Sequence, residues 1–157
     1  MKNEKINQGF TLIELLVVIS IIGFLATAAV FSFNIIRMQS RDAIRANNIG
    51  IISRSLALYM NDFGTYPTSS GECISTSGIG ATLLSADVIP QIPTDLLWPT
   101  TAPTVLHANG YAIAPSANFC YYYSATDNNY YLSSYLESNS KAGDSGVHVM
   151  TPAGSLN

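Results

Sequence analysis

The sequence predicts an α+β fold in which one long N-terminal helix, its first half transmembrane, packs its second half against a small antiparallel β-sheet. Three observations carry this. From Leu15 to Phe33 nineteen consecutive residues carry no charge, and extending the run to Ile36 gives twenty-two, enough for a helix to cross a hydrocarbon core of about 30 Å. Beyond that run no proline occurs before Pro67, and Ile44, Ile51, Ile52, Leu56, Tyr59 and Phe63 recur at helical spacings. The C-terminal third then turns to tyrosine-rich stretches that alternate as strands do.

Charge placement orients the first element and excludes some partners. Lys2 and Lys5 precede the apolar run, which would hold that end in the cytoplasm and send the remainder outward. The 157 residues sum to a formal charge of -3, but from Gly64 onward Lys141 is the only basic residue, set against Glu72, Asp87, Asp95, Asp127, Glu137 and Asp144. An acidic head of this kind repels phosphate backbones, so no nucleic-acid partner is expected. Once the apolar segment is set aside, the remaining length suits one modest globular domain.

The start of the helix carries the most specific motif. Gly9, Phe10, Thr11, Leu12, Ile13 and Glu14 open the string GFTLIELLVVISIIG, which resembles the class III signal segment of type IV pilins and of type II secretion pseudopilins. The resemblance implies that a membrane-embedded prepilin peptidase cuts between Gly9 and Phe10 and methylates the new N-terminus. Cleavage then precedes the apolar run, so the mature chain keeps its helix as anchor and packing element, whereas an ordinary secretory signal would be lost. A carboxylate inside an apolar helix costs a few kcal/mol unless paired. For Glu14 the resemblance implies a partner, the Phe10 amine of a neighbouring subunit, and through it the register of assembly. The residues alone leave open a Glu14 that is merely hydrated near the interface. Where pilins often carry a helix-kinking proline, this chain has Phe31.

The implied organisation is a leader over residues 1–9, a transmembrane and filament-core helix over 10–36, an amphipathic extension over 37–63, and an extracytoplasmic head over 64–157. As one rod, Phe10 to Asn61 would measure about 80 Å at 1.5 Å per residue. Gly23 allows close helix approach, Gly50 admits a local bend, and Gly64 offers a stop after Phe63. Arg37, Arg41 and Arg45, four residues apart, read either as a basic stripe toward lipid head groups or acidic neighbours, or as a solvated face.

In the head, NDFGTYP from Asn61 to Pro67 resembles the helix exit of G-type major pseudopilins. A loop is expected from Thr68 to Gly80, a short helix near Ala81–Ala86, and an irregular connector through IPQIPTDLLWP, whose prolines exclude helix and central strand. Strands are expected at Gly110–Ala114, Asn118–Ser124, Tyr130–Glu137 and Val147–Met150, making a sheet of three or four. Cys73 and Cys120, both outside the cytoplasm by this topology, suit a disulfide worth about 4 kcal/mol in the chain-entropy model, with two buried thiols as the alternative. The tyrosines from Tyr121 to Tyr135 read as strand packing in preference to a ligand platform.

No metal-ligand spacing, phosphate loop or nucleophile elbow occurs, and His107 and His148 stand far apart in sequence, so no catalysis is expected. G-type pseudopilins often bind calcium near the C-terminus. Asp127 and Asp144 are the oxygen-rich candidates here, but neither has an EF-hand spacing, so no cofactor is assigned. The resemblance thus implies a structural subunit of a type II secretion pseudopilus, held in the cytoplasmic membrane and drawn into a helical filament. Its partners would be other copies of itself, the prepilin peptidase, minor pseudopilins, membrane lipid, and the inner-membrane platform with its ATPase. A surface pilus for adhesion, motility or DNA uptake is the near alternative. The distant one is a secreted ligand-binding domain whose ordinary signal is cleaved near Ala26–Ala29.

Overall fold

The computed structural model describes residues 10–100, 119–126 and 128–156. The expected leader, the strand at Gly110–Ala114, His107 and Asp127 lie outside the described residues. Two compact units, Met1–Arg37 and Met38–Asn157, share one helix, α1 (Leu12–Phe63).

In the first unit every described residue is exposed, and the apolar stretch is long and apolar enough to cross a membrane. Its hydroxyls return to the helix's own carbonyls: Ser20 Oγ to Leu16 O at 2.8 Å, Thr27 Oγ1 to Phe24 O at 2.8 Å and Ser32 Oγ to Ala28 O at 3.2 Å. Backbone-bonded hydroxyls suit an apolar solvent, where an unmet polar group costs several kcal/mol.

The second unit packs the rest of α1 on a five-stranded antiparallel sheet ordered β1 (Ser69–Cys73), β2 (Tyr122–Thr126), β3 (Asn129–Leu136), β4 (Gly146–Thr151), β5 (Gly154–Leu156). A short α2 (Ile79–Ser85) lies between β1 and the connector. Period-two alternation sends Tyr123, Tyr130, Leu132 and Leu136 to the core face, where they join Ile49, Ile52 and Leu56 of α1, Leu83 of α2, and Ile89 and Ile92 of the connector. The prolines of that connector exclude regular structure while its isoleucines plug the core.

Gly64 ends α1 as its position suggests: its φ of 77° is left-handed, and its N–H donates to Met60 O at 2.9 Å. The sheet has two strands more than the three seen from the sequence among these residues. β1 falls within the expected loop, because SSGEC has no apolar alternation. Its pairing with β2 carries a register shift between Ser69 and Glu72, centred on Gly71, where φ is 127° and a Cβ would stand 2.1 Å from Tyr122 Oη. The expected strand from Asn118 begins later, at Tyr122, since Phe119, Cys120 and Tyr121 are buried but outside the ladder. β5 is the second addition.

The buried face of α1 also differs from the expected stripe. Ile52 and Leu56 are buried, but Ile44 and Phe63 are exposed, and Asp42 and Arg45 are completely buried. The basic stripe is therefore corrected: Arg37 is exposed, Arg41 is half-buried, and Arg45 faces the interior instead of lipid or solvent.

Candidate processing and assembly site

Helix starts leave N–H groups without carbonyl partners, and this one meets them with its own side chains. Thr11 stands at the N-cap of α1, and its hydroxyl accepts the Glu14 N–H at 3.3 Å. In return the Glu14 carboxylate accepts the Thr11 N–H at 2.8 Å and the Thr11 hydroxyl at 2.7 Å. This reciprocal arrangement is a capping box. Its signal, Thr-x-x-Glu ahead of an apolar run, stands in the sequence, and a reading of Glu14 as a buried charge alone misses it. Both bonds from Thr11 fall on Oε2, so Oε1 keeps an open position among the described residues. Phe10, 79% exposed, lies immediately before the box, while Gly9 lies outside the described residues.

A second constellation locks the head to α1. The Arg45 guanidinium forms two parallel bonds to Asp95, Nε to Oδ2 at 2.7 Å and Nη2 to Oδ1 at 3.0 Å. Its Nη1 reaches Asp42 Oδ1 at 2.9 Å and also Glu137 Oε1, and the group stacks 4.9 Å from the Phe119 ring. Asp42 in turn accepts the backbone N–H groups of Glu137 and Ser138, each at 2.9 Å, and the Ser138 hydroxyl at 2.8 Å. Arg41 adds two bonds to Glu137, at 2.8 and 2.6 Å.

Burial would weaken the charge on each of these groups, but the bonds prevail. Desolvation pushes the Arg45 pKa down, and the Asp95 and Glu137 carboxylates lift it above the ordinary arginine range. Desolvation pushes Asp42 and Glu137 up, but backbone and hydroxyl donors hold Asp42, and the two arginines hold Glu137, below the ordinary carboxylate range. One helix, the connector and the end of β3 thus meet at a single guanidinium.

Cys73, at the end of β1, and Cys120, just before β2, are joined by a disulfide with Cα atoms 5.7 Å apart. Beside it, Ile74 N–H donates to Tyr121 O at 2.8 Å. The tyrosine hydroxyls of the core face bind scaffold: Tyr121 accepts from Asn48 Nδ2 at 2.9 Å, Tyr130 meets Ser53 Oγ at 2.9 Å, and Tyr123 donates to Pro67 O at 2.8 Å. Burial pushes the Tyr121 pKa up to about 12 and raises those of Tyr123 and Tyr130. Tyr121 and Tyr130 therefore brace this side of the head against α1, and Tyr123 braces it against the chain just past the helix. His148 Nε2 donates to the Asp144 carbonyl at 2.7 Å in the turn before β4, and among the described residues no three His, Cys, Asp or Glu side chains gather as a metal site.

No curated protein and no solved structure matches the chain. Residues 5–30 match the family described as the prokaryotic N-terminal methylation motif, a span that includes Gly9, Phe10 and the whole capping box. With an apolar N-terminal helix leading into an α+β head, that match supports a type IV pilin-like protein.

Proposed function

We propose that this chain is a structural subunit of a type II secretion pseudopilus, cleaved after Gly9, methylated on Phe10, and assembled from the cytoplasmic membrane into an extracytoplasmic filament through its N-terminal helix. The observation that carries the reading is the methylation motif seated on the fully exposed apolar first stretch of α1, with a single carboxylate near its start. Such a helix needs an apolar surrounding, first lipid and then the helices of other copies. Glu14 supports the exchange between them: Thr11 occupies Oε2 within the chain, and Oε1 is open for the Phe10 amine of a neighbour.

The secretion branch is favoured over a surface pilus by the NDFGTYP exit, which resembles that of the G-type pseudopilins, and by the position of the disulfide. It ties β1 to the entry of β2 and encloses no C-terminal loop of the kind common in pilins. The partners that follow are the prepilin peptidase, minor pseudopilins and the inner-membrane platform with its ATPase. No cofactor is required by this role, and calcium is not assigned to Asp144.

Replacing Glu14 with Gln removes the charge and keeps the shape. With the processing and assembly machinery present, filament yield by electron microscopy of sheared material should fall at least about tenfold, as expected for loss of an ion pair in an apolar setting. Processed subunit should meanwhile accumulate in the membrane. Unchanged filaments from the Gln variant would contradict the role given to Glu14.

A further inference from the structure

Three separate stretches of the head converge on a cleft of about 240 Å³: the loop that follows β1, the connector, and the residues just before β2. Ile74 and Cys120 line it and are both buried. The more exposed lining is of another kind, with Ser75 and Thr76 from the loop and Thr94 and Trp98 from the connector. Trp98 is the chain's only tryptophan, and it is 42% exposed, although a ring of that size is highly buried in most folds.

The walls are fixed before anything enters. The Trp98 backbone N–H donates to the Asp95 carbonyl at 3.1 Å, and the Asp95 carboxylate accepts the Leu97 N–H at 2.8 Å while it grips Arg45. Across from the connector, the disulfide ties Cys120 to the end of β1, next to Ile74. A ligand is thereby spared the cost of ordering its site. Arg45 and the Leu97 N–H occupy both Asp95 oxygens, so Asp95 offers the cleft no free charge. The Thr76 and Thr94 hydroxyls form no hydrogen bond among the described residues, whereas that of Ser75 turns to Ser77 Oγ at 3.0 Å.

A flat apolar ring beside open hydroxyls, without a charge to satisfy, suits a neutral sugar. The C–H face of a sugar ring lies on an aromatic face, and its hydroxyls exchange hydrogen bonds with threonine. The size agrees, since the cleft is smaller than the roughly 300–1,000 Å³ of a drug-sized site and takes about one ring. A nucleotide, which also stacks on exposed aromatics, is disfavoured, because from Gly64 onward Lys141 is the only basic residue to meet a phosphate.

We propose that this cleft binds a neutral sugar ring, stacked on Trp98 and hydrogen-bonded by Thr76 and Thr94. The inference stands apart from the filament reading, and neither outcome of its test touches that reading. A free monosaccharide and the end of a longer glycan share this chemistry, and the test separates them.

Trp98 is itself the reporter. The full chain, solubilised in a detergent without a sugar headgroup, is titrated with glucose, galactose, mannose, N-acetylglucosamine and N-acetylgalactosamine, and with oligosaccharides ending in each, while tryptophan emission is followed. At least one should shift the emission saturably, with half-saturation at about 1 mM or below. Tighter binding of the oligosaccharide assigns the glycan end, and equal or weaker binding assigns the free sugar. Saturation-transfer NMR then compares variants without relying on the fluorophore. Trp98→Ala and Thr94→Val, with the disulfide formed and melting within a few degrees of the parent, should weaken binding at least about tenfold and fivefold. Leu96→Ala, an exposed neighbour outside the cleft, should bind as the parent does. No saturable response to any of these sugars, or binding that Trp98→Ala or Thr94→Val leaves intact, would overturn the site.

Discussion

Arg45 shows how a residue can be plain in the sequence and still be misread. Three arginines at four-residue spacing suggest a wet helical stripe, because charged residues are seldom fully buried unless paired. One partner of Arg45, Asp42, stands three residues before it, but Asp95 and Glu137 lie 50 and 92 residues away, and no local pattern announces those two. The capping box shows the opposite case, since Thr11 and Glu14 sit three residues apart and the pairing is readable directly. Removing one partner of a buried ion network leaves uncompensated charge, so Arg45→Met should destabilise the head by roughly 3–5 kcal/mol. Arg41, whose side chain is 26% exposed, should cost no more than about 1 kcal/mol when changed to Met. Chemical unfolding of the detergent-solubilised full chain measures both.

The same network sets the response to acid. Asp42 and Glu137 have folded pKa values below their ordinary 3.8 and 4.5, so on acidification the unfolded chain takes up protons before the folded one does. Their contribution is complete above those ordinary values and is lost as pH falls through them toward the lower folded values. Unfolding curves across acid pH should show this decline, and Asp42→Asn should flatten it while lowering stability at neutral pH.

At the scale of elements, legibility followed the strength of local pattern. α1 was readable through its apolar run, its lack of proline and its Gly64 stop, as were β3 and β4 through alternating tyrosine, leucine and valine. β1 was not, because an edge strand reading SSGEC gains its order from β2 and from a bulge that only Gly71 permits. The disulfide explains why this short strand holds. It closes a sequence separation of 47 residues, and in the chain-entropy model such a link contributes about 4 kcal/mol. Thermal unfolding with and without reductant, or of the paired Cys73→Ala and Cys120→Ala variant, should show a loss of that order. A loss below about 1 kcal/mol would mean that β1 is held by the ladder alone.

For the whole molecule, two different solvents account for the two units. Residues 10–36 expose apolar side chains on every side, which water does not tolerate over such a length and which lipid or neighbouring helices do. The head, by contrast, closes its own core and buries Arg45 among the carboxylates of Asp42, Asp95 and Glu137. Gly9, Phe10 and Glu14 stand at the start of the apolar run, where the proposed cleavage would fall, which is why a motif of a few residues carries more of the functional reading than the remaining fold. The central claim is that the chain is processed there and retained in the membrane. Intact mass combined with N-terminal sequencing, on protein from cells that carry a prepilin peptidase, tests it most directly. The account requires a chain that begins at methylated Phe10 and keeps the entire apolar helix. A chain beginning near Ala28 would contradict it, because the helix would then have been a discarded secretory signal and the head a free secreted domain.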